Sequence, residues 1–305
     1  MKLRSLMAAL AVACFAMGSA KAENLVIGVG TDAAYTPFYL ALERGIFKKH
    51  GLDVQFLKFS NGGEAVDAVV AGQAQLSGAA EQTTMIRMAR GADLRPTVIY
   101  EESGSYIKLV TKPDIADVKQ IKTFGVVKGS VSEYSASLAM SKFGVDPSTV
   151  KIVPAGPPEL PALLARGDID GYFAWEPWPS IGIRQGGKAL LTSGDVGYAY
   201  TMWLTASGAW LDKNMGTAKS VVAALTEVNA QITAEPDKAA QEFQAITKLP
   251  ASDTVGFLKT TKWDVRPFTE RDYASFDKIV DFMVSQKISA TKVDFRTAMQ
   301  KGQVK

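Results

Sequence analysis

Apolar, strand-like segments alternate with helix-like segments along most of this chain, and that alternation limits its fold more than any other feature. "NLVIGVGT" at 24–31 is typical of a buried strand, and a helix-like segment begins after it near Thr36 and Pro37. "LDVQFLKF" at 52–59 alternates as a second strand, and "QLSGAA" at 75–80 is a third. The alternation predicts an α/β fold with mainly parallel strand pairing.

The strand–helix pattern starts again near residues 117–122, and the chain becomes mostly helical after about residue 217. We interpret the restart as a second α/β domain, so that the chain crosses between two domains twice. A discontinuous outer domain around a continuous inner one is a hinged clamshell. The predicted limits are 23–109 plus 206–305 for domain I, 112–199 for domain II, and about 109–112 and 199–206 for the hinge segments.

Residues 1–22 have the layout of a secretory signal peptide. Lys2 and Arg4 precede an apolar stretch at 6–17, and Ala20-Lys21-Ala22 forms a small-residue end. We expect cleavage before Glu23 and export to the periplasm. The alternative is a lipoprotein anchor on Cys14, because "AVAC" loosely resembles a lipobox. Cleavage removes the single cysteine, which excludes an intramolecular disulfide in the exported chain.

The net charge excludes some classes of partner. The full chain has 34 Lys and Arg against 31 Asp and Glu, a formal charge of +3, and three of its basic residues lie within 1–22. The exported chain is therefore expected to be neutral. A neutral surface argues against nucleic acid or a membrane face as the main partner.

Catalysis, metal binding and cofactor binding find little support in the sequence. The single histidine, His50, lies in "FKKHG" at a charged helix end, so neither a Cys–His pair nor a Ser–His–Asp triad is expected. "GVVKGS" lacks the spacing of a phosphate-binding P-loop. Glu101-Glu102 and Glu176 are a conceivable acid–base pair, but a solvated strand end and a first helical turn are simpler roles. We predict a protein that is not an enzyme and has no cofactor.

The sequence points instead to binding at strand ends. Ligands of open α/β sheets bind beyond the carboxyl ends of the strands. Five strand-to-helix junctions there present free backbone N–H groups and short polar side chains, which hold an oxyanion well. Simple helix capping is the alternative for Thr36, Ser60 and Ser130, the last in a capping box with Glu133. The junctions are 34–36, 60–63, 80–83, 128–132 and 175–177.

Three stretches carry a family resemblance. "AYTPFYLALERGIFKKHGLDVQF" at 34–56, "GGEAVDAVVAGQAQLSGAA" at 62–80 and "GDIDGYFAWEPW" at 167–178 together resemble periplasmic solute-binding proteins of the nitrate, sulfonate, taurine and thiamine-precursor branch. The resemblance implies a type II clamshell, expected to be a monomer. Such a protein captures a small solute and delivers it to the permease and ATPase subunits of an ABC transporter.

The resemblance also implies a set of ligand-facing positions, and the predicted strand ends and cleft edges extend it. Trp175 is expected to form a cleft wall, whereas Trp178 is expected to pack in the core. The positions carried over by motif are Tyr35, Thr36, Asn61, Gly62, Glu81, Gln82, Ser130, Ser132, Trp175 and Glu176. The positions added from strand ends and cleft edges are Tyr100, Glu102, Lys128 and Trp203.

The balance of charge near the predicted cleft indicates the kind of solute. Several glutamates fall there, and the expected cations are only Lys108 and Lys128. Carboxylates beside aromatic rings disfavour a bare anion such as nitrate and favour a solute with an amine or N–H groups. Taurine, with its sulfonate on helix N-termini and its ammonium near a glutamate, fits best. The alternative ligand is a pyrimidine-type thiamine precursor stacked on Trp175. A periplasmic enzyme of the same fold is a weaker alternative. The sequence does not distinguish a protein that presents its ligand to a chemoreceptor from one that serves transport.

Overall fold

The computed structural model describes residues 23–304, so the predicted signal peptide lies outside the described residues. Within them, the strands form two five-stranded sheets, and helices cover both. The strands are β1 Glu23–Gly30, β2 Leu52–Phe59, β3 Leu76–Ala80, β4 Leu94–Ser103, β5 Lys108–Thr111, β6 Thr123–Val126, β7 Lys151–Pro154, β8 Gly171–Ala174, β9 Lys188–Thr192 and β10 Tyr200–Ser207.

The helices fall between strands in the first two thirds of the chain and follow one another after β10. No helix in the described part of the chain is both long and apolar enough to cross a membrane. The helices are α1 Thr36–Glu43, α2 Ile46–Lys49, α3 Gly62–Val70, α4 Glu81–Ala89, α5 Val131–Lys142, α6 Leu160–Arg166, α7 Trp178–Arg184, α8 Gly208–Leu211, α9 Met215–Ala234, α10 Pro236–Thr247, α11 Ala251–Thr260, α12 Glu270–Ser285 and α13 Arg296–Gly302.

Both sheets have the same plan. The first has the order β2-β1-β3-β10-β4 and the second β7-β6-β8-β5-β9. In each, the fourth strand arrives directly from the other sheet and runs antiparallel to both of its neighbours. The prediction of mainly parallel pairing is therefore wrong, because β5 and β10 enter through short connections without the crossover helix that parallel neighbours need. The remaining pairings, β1–β2, β1–β3, β6–β7 and β6–β8, are parallel.

The two sheets divide the chain. Strands of the first sheet lie within 23–103 and 200–207, and those of the second lie within 108–192. The exact limits of the domains and hinge segments stay a prediction.

The C-terminal helices cover the first sheet and stabilise it. Trp203 on β10 is fully buried, and its ring lies 4.8 Å from Phe276 of α12 and 5.2 Å from Phe268. The backbones of Lys262 and Arg266 pair with β4 as isolated antiparallel bridges. Burying a side chain as large as Trp203 contributes roughly 2–3 kcal/mol, so this layer holds the sheet in place for the residues at its edge.

Candidate functional site

A cavity lies between the two sheets, at the edge where their parallel strands end. It contains about 540 Å³ of empty space, part of it open to solvent. Each of the five predicted strand-to-helix junctions contributes to its wall, because the carboxyl ends of parallel strands meet at one edge of a sheet. The wall is formed by Asp32, Ala34, Tyr35, Asn61, Gly62, Gly63, Ala80, Thr83, Arg87, Tyr106, Ile107, Val127, Lys128, Gly129, Ser130, Val131, Trp175, Tyr200 and Met202.

The start of α3 forms one part of the wall. Asn61 caps this helix, with its Oδ1 accepting from the Glu64 N–H at 3.2 Å. A Cβ atom on Gly62 would lie 2.7 Å from the Tyr35 Oη, and one on Gly63 would lie 2.7 Å from Nη2 of Arg87. The two glycines therefore let a phenol and a guanidinium approach the helix start. The first N–H groups of a helix have no partner within it, which makes this corner favourable for an anion.

Arg87 lines the cavity, although the sequence did not predict it there. It lies on α4, four residues after Thr83, and residues at that spacing share one helix face. Its Nε and Nη2 each donate to Asp67 at 3.0 Å, which fixes the plane of the guanidinium. Helical spacing from the junction at 80–83 was a usable signal for this residue.

The two cations that the sequence favoured are both paired with glutamates. The Lys108 Nζ donates to Glu176 at 2.6 Å. Lys128 lines the cavity and donates to Glu133, and more than half of its side chain is exposed. The two basic residues in the wall are Lys128 and Arg87. Arg87 is the more enclosed of them, with 18% of its side chain exposed.

Asp32 is the acidic residue of the wall, and the sequence did not single it out. It caps the single helical turn Ala33–Tyr35, with its Oδ1 accepting from the Ala34 N–H at 3.0 Å and from the Tyr106 Oη at 2.9 Å. Burial raises the pKa of Asp32 to about 6. Its position two residues after β1, just before a helical turn, was the available signal.

The start of α5 forms the opposite part of the wall. Ser130 caps this helix by accepting from the Ser132 N–H at 3.2 Å, and its own hydroxyl donates to the Val127 carbonyl at 2.8 Å. The predicted capping box between Ser130 and Glu133 is wrong, because Glu133 accepts its hydrogen bond from the Gly129 N–H, at 2.9 Å, and not from the Ser130 N–H. The start of α5 nevertheless faces the cavity, through Ser130 and Val131.

Aromatic side chains enclose the remaining sides. Trp175 is 7% exposed, and its Nε1–H has no hydrogen-bond partner among residues 23–304. Tyr106 stacks on Phe257 with ring centroids 3.9 Å apart, and Tyr200 donates to the buried Glu101. Burial holds the pKa of Glu101 well above its usual range, which favours its protonated form behind the wall.

The structure brings six of the predicted ligand-facing residues to this cavity and leaves eight away from it. Their contact with a solute stays a prediction. The six are Tyr35, Asn61, Gly62, Lys128, Ser130 and Trp175. The eight are Thr36, Glu81, Gln82, Tyr100, Glu102, Ser132, Glu176 and Trp203.

Three of these eight hold the strand-to-helix junctions together instead. The Thr36 hydroxyl donates to the Ala33 carbonyl at 2.7 Å, and the Ser132 hydroxyl accepts from the Val127 N–H at 3.1 Å. Glu176 is 1% exposed and accepts from the Ser180 N–H at 3.2 Å, besides its ion pair with Lys108. Their short-range capping bonds place them behind the cavity wall.

The other five lie deeper or on the far side of β4. Gln82, Tyr100 and Trp203 are fully buried. Glu81 accepts from the Tyr198 Oη at 2.6 Å and the Thr201 N–H at 2.9 Å. Glu102 forms ion pairs with three cations of the C-terminal segment, Lys262, Arg266 and Arg271.

Seven wall residues were not predicted from the sequence, and several come from segments that cross between the sheets. They are Asp32, Arg87, Tyr106, Ile107, Val127, Tyr200 and Met202. Across residues 23–304, no group of three or more His, Cys, Asp or Glu side chains is placed to hold a metal ion.

The chain is similar to named binding proteins over most of its length. It is 26% identical over 268 residues to the taurine-binding periplasmic protein of Escherichia coli strain K12, and the match covers 84% of this chain and 82% of that protein. The crystal structure of the periplasmic aliphatic sulphonate binding protein SsuA from Escherichia coli superimposes with a TM-score of 0.80 at 20% identity, covering 91% of this chain and 92% of that one. The alkanesulfonate-binding protein SsuA from Xanthomonas axonopodis pv. citri, bound to MOPS, gives a TM-score of 0.81 at 17% identity, with 90% and 97% covered.

The structural matches confirm the predicted fold, a type II periplasmic-binding-protein clamshell with two α/β domains. The sequence match identifies the family, because the model of the NMT1-like family matches residues 18–247, well over half of the chain. The chain belongs to the NMT1-like family.

Proposed function

We propose that this protein is the extracytoplasmic solute-binding component of an ABC importer and that it binds a small organic sulfonate in the cleft between its two sheets. The family match and the names of the taurine- and sulfonate-binding relatives support the protein class. One observation carries the choice of ligand: the starts of α3 and α5 and the Arg87 guanidinium all line one cavity. The protein acts as a monomer in the periplasm and carries out no chemical step on its ligand.

The electrostatics of the wall favour a fixed oxyanion. A sulfonate keeps its charge throughout the physiological pH range, and its three oxygens accept hydrogen bonds in several directions. Gly62, Gly63 and Val131 present helix-start N–H groups, and Arg87 adds a charged donor. Charge-assisted hydrogen bonds of this kind contribute about 1.5–3 kcal/mol each.

The rest of the wall suits a short hydrocarbon segment. Trp175, Ile107 and Met202 present apolar surface to the same cavity. Burial of one methylene group contributes about 0.8 kcal/mol, so an alkyl chain adds affinity that a nitrate ion lacks. A few charged hydrogen bonds and two methylenes together support micromolar affinity, about −8 kcal/mol.

Titration calorimetry on the purified protein tests this function. We expect ethanesulfonate and taurine to bind with micromolar dissociation constants, and nitrate and an aminopyrimidine to bind at least tenfold more weakly. Arg87→Gln should weaken ethanesulfonate binding by roughly 10- to 100-fold through loss of one charged donor. Arg166→Gln is the matched control, because Arg166 pairs with Asp168 on the surface, away from the cavity.

Two outcomes would contradict the proposal. Tighter binding of the aminopyrimidine than of any sulfonate would contradict a sulfonate as the ligand. Equal losses of ethanesulfonate affinity in the Arg87 and Arg166 variants would contradict the cleft as the binding site. The transport role has its own test, since a deletion strain should fail to grow on the bound sulfonate as sole sulfur source. Normal growth of that strain would contradict delivery to a permease while leaving the binding result intact.

A further inference from the structure

We propose that Asp32 receives a positively charged amino group of the solute, so that the solute class is an aminoalkanesulfonate and not a plain alkanesulfonate. This inference rests on the proposed function and names the substrate class of the same cavity. It assigns the two ends of the solute to two walls. The sulfonate lies at the helix starts with Arg87, and the ammonium lies at Asp32.

One carboxylate oxygen of Asp32 is free to accept a hydrogen bond, while the other is held by two donors. Its Oδ1 is occupied by the Ala34 N–H and the Tyr106 Oη, whereas within residues 23–304 its Oδ2 takes part in no hydrogen bond. The residue is 7% exposed and lines the cavity. The two hydrogen bonds to Oδ1 fix the plane of the carboxylate, so Oδ2 can accept a hydrogen bond from a donor in the cavity.

Asp32 also differs in its charge balance from three other acids around the cleft. Asp67, Glu133 and Glu176 each form an ion pair with Arg87, Lys128 or Lys108. Across the described part of the chain, Asp32 forms no ion pair with any lysine, arginine or histidine. An enclosed carboxylate without a cation is costly, and a solute ammonium removes that cost.

The deeper carboxyl groups do not compete for this role. Glu81 and Glu101 are buried behind the wall and are held by the hydroxyls of Tyr198 and Tyr200. Neither lines the cavity, where Asp32 is the acidic residue among the described ones. An amino group in the cavity therefore meets Asp32 first.

Trp175 supplies an independent sign that the cavity is built for a polar solute. Its indole Nε1–H is buried without a hydrogen-bond partner in residues 23–304, and the residue lines the same cavity. A buried donor left unpaired costs roughly 1–3 kcal/mol, and a bound sulfonate oxygen or bridging water satisfies it. The wall residues thus include a buried donor without a partner and a carboxylate without a cation, which a zwitterion complements.

The test compares two ligands that differ only in the amino group. Taurine and ethanesulfonate are titrated by calorimetry into the wild-type protein, Asp32→Asn and Asp146→Asn. We expect Asp32→Asn to weaken taurine by roughly 10- to 100-fold and ethanesulfonate by less than about threefold, since only taurine offers a charged donor. Asp146→Asn is the matched control, because Asp146 also caps a single helical turn, through the Ser148 N–H at 2.9 Å, but lies outside the cavity.

The outcomes separate this inference from the proposed function. Equal losses for both ligands in Asp32→Asn, or an unchanged taurine affinity, overturn the role of Asp32 while sulfonate binding stands. Failure of both ligands to bind the wild-type protein overturns the two proposals together. If Asp32→Asn does not fold, the wild-type protein still decides, because taurine should bind at least tenfold more tightly than isethionate, which carries a hydroxyl in place of the ammonium. Equal affinities for those two overturn the inference.

Discussion

At the scale of single residues, three buried carboxyl groups near the cleft each accept a hydrogen bond from a tyrosine hydroxyl. The pairs are Asp32 with Tyr106, Glu81 with Tyr198 and Glu101 with Tyr200. Burial raises the pKa of all three carboxyl groups, since a charge is poorly solvated there. Of these acids only Asp32 lines the cavity, which is why we propose a binding role for it and a supporting role for Glu81 and Glu101.

The pKa of Glu81 gives a prediction for stability. Burial raises it from 4.5 to about 7, so between these pH values the folded protein keeps a proton that the unfolded chain releases. The unfolding free energy should therefore fall as pH rises through this range, by about 3 kcal/mol from Glu81 alone. Glu81→Gln removes this contribution. Denaturant unfolding of both proteins at pH 4.5, 6 and 8 should show wild type losing stability relative to the variant, and a constant difference would contradict the assignment.

At the scale of elements, the site depends on where helices begin. The strands β1, β2, β3, β6 and β8 end at one edge, and the turns after them bring helix starts to the cavity. Gly62 and Gly63 matter because a side chain at either would lie against Tyr35 or Arg87. The glycine pair therefore sets how closely the charged group of α4 approaches the first turn of α3.

Gly63→Ala tests that close approach. The added Cβ would lie 2.7 Å from Nη2 of Arg87 and 2.9 Å from the Asn61 Oδ1, so both the guanidinium and the capping amide of α3 should move away. We expect sulfonate affinity to fall about tenfold, the value of one charged hydrogen bond, and the unfolding free energy to fall by about 0.5–2 kcal/mol through the weakened Asn61 cap. Gly216→Ala is the control, since its Cβ would meet open space. Unchanged affinity in Gly63→Ala would contradict a role for Arg87.

At the scale of the whole molecule, several contacts cross between the part of the chain in the second sheet and the part around the first. Arg184 of α7 forms an ion pair with Asp253 of α11 at 3.1 Å, and Tyr134 of α5 lies 4.9 Å from Phe282 of α12 between ring centroids. Tyr106, between the sheets, also lies 3.3 Å from the Glu176 carbonyl. These contacts join the two parts of the chain on either side of the cavity, and a solute that binds both walls would stabilise the same arrangement.

The sequence predicted the features that depend on local pattern. Alternating segments identified the α/β class, and the rule for strand ends located all five junctions that form the cavity. The junction residues Tyr35, Asn61, Ser130 and Trp175 lie there because a few residues of chain connect each to its strand end.

The residues that the sequence missed depend on long-range packing. Arg87 reaches the wall through its helix face. Tyr106 lies just before the predicted hinge segment at 109–112 and Tyr200 lies within the one at 199–206, but which of their side chains line the cavity depends on how the crossing segments pack. Glu102 was expected at the cleft because it ends a strand, yet β4 is an edge strand and its end faces the C-terminal cations. The share of parallel pairing was overestimated because β5 and β10, which cross from one sheet to the other, cannot be distinguished from the parallel strands by composition.

A crystal structure of the protein with taurine would locate both ends of the solute at once and so test the binding mode we propose. We expect the sulfonate at the starts of α3 and α5 within hydrogen-bond distance of Arg87, and the ammonium within about 3 Å of the Asp32 Oδ2. A solute bound outside this cavity, or one with its sulfonate at Asp32, would contradict the proposed binding mode.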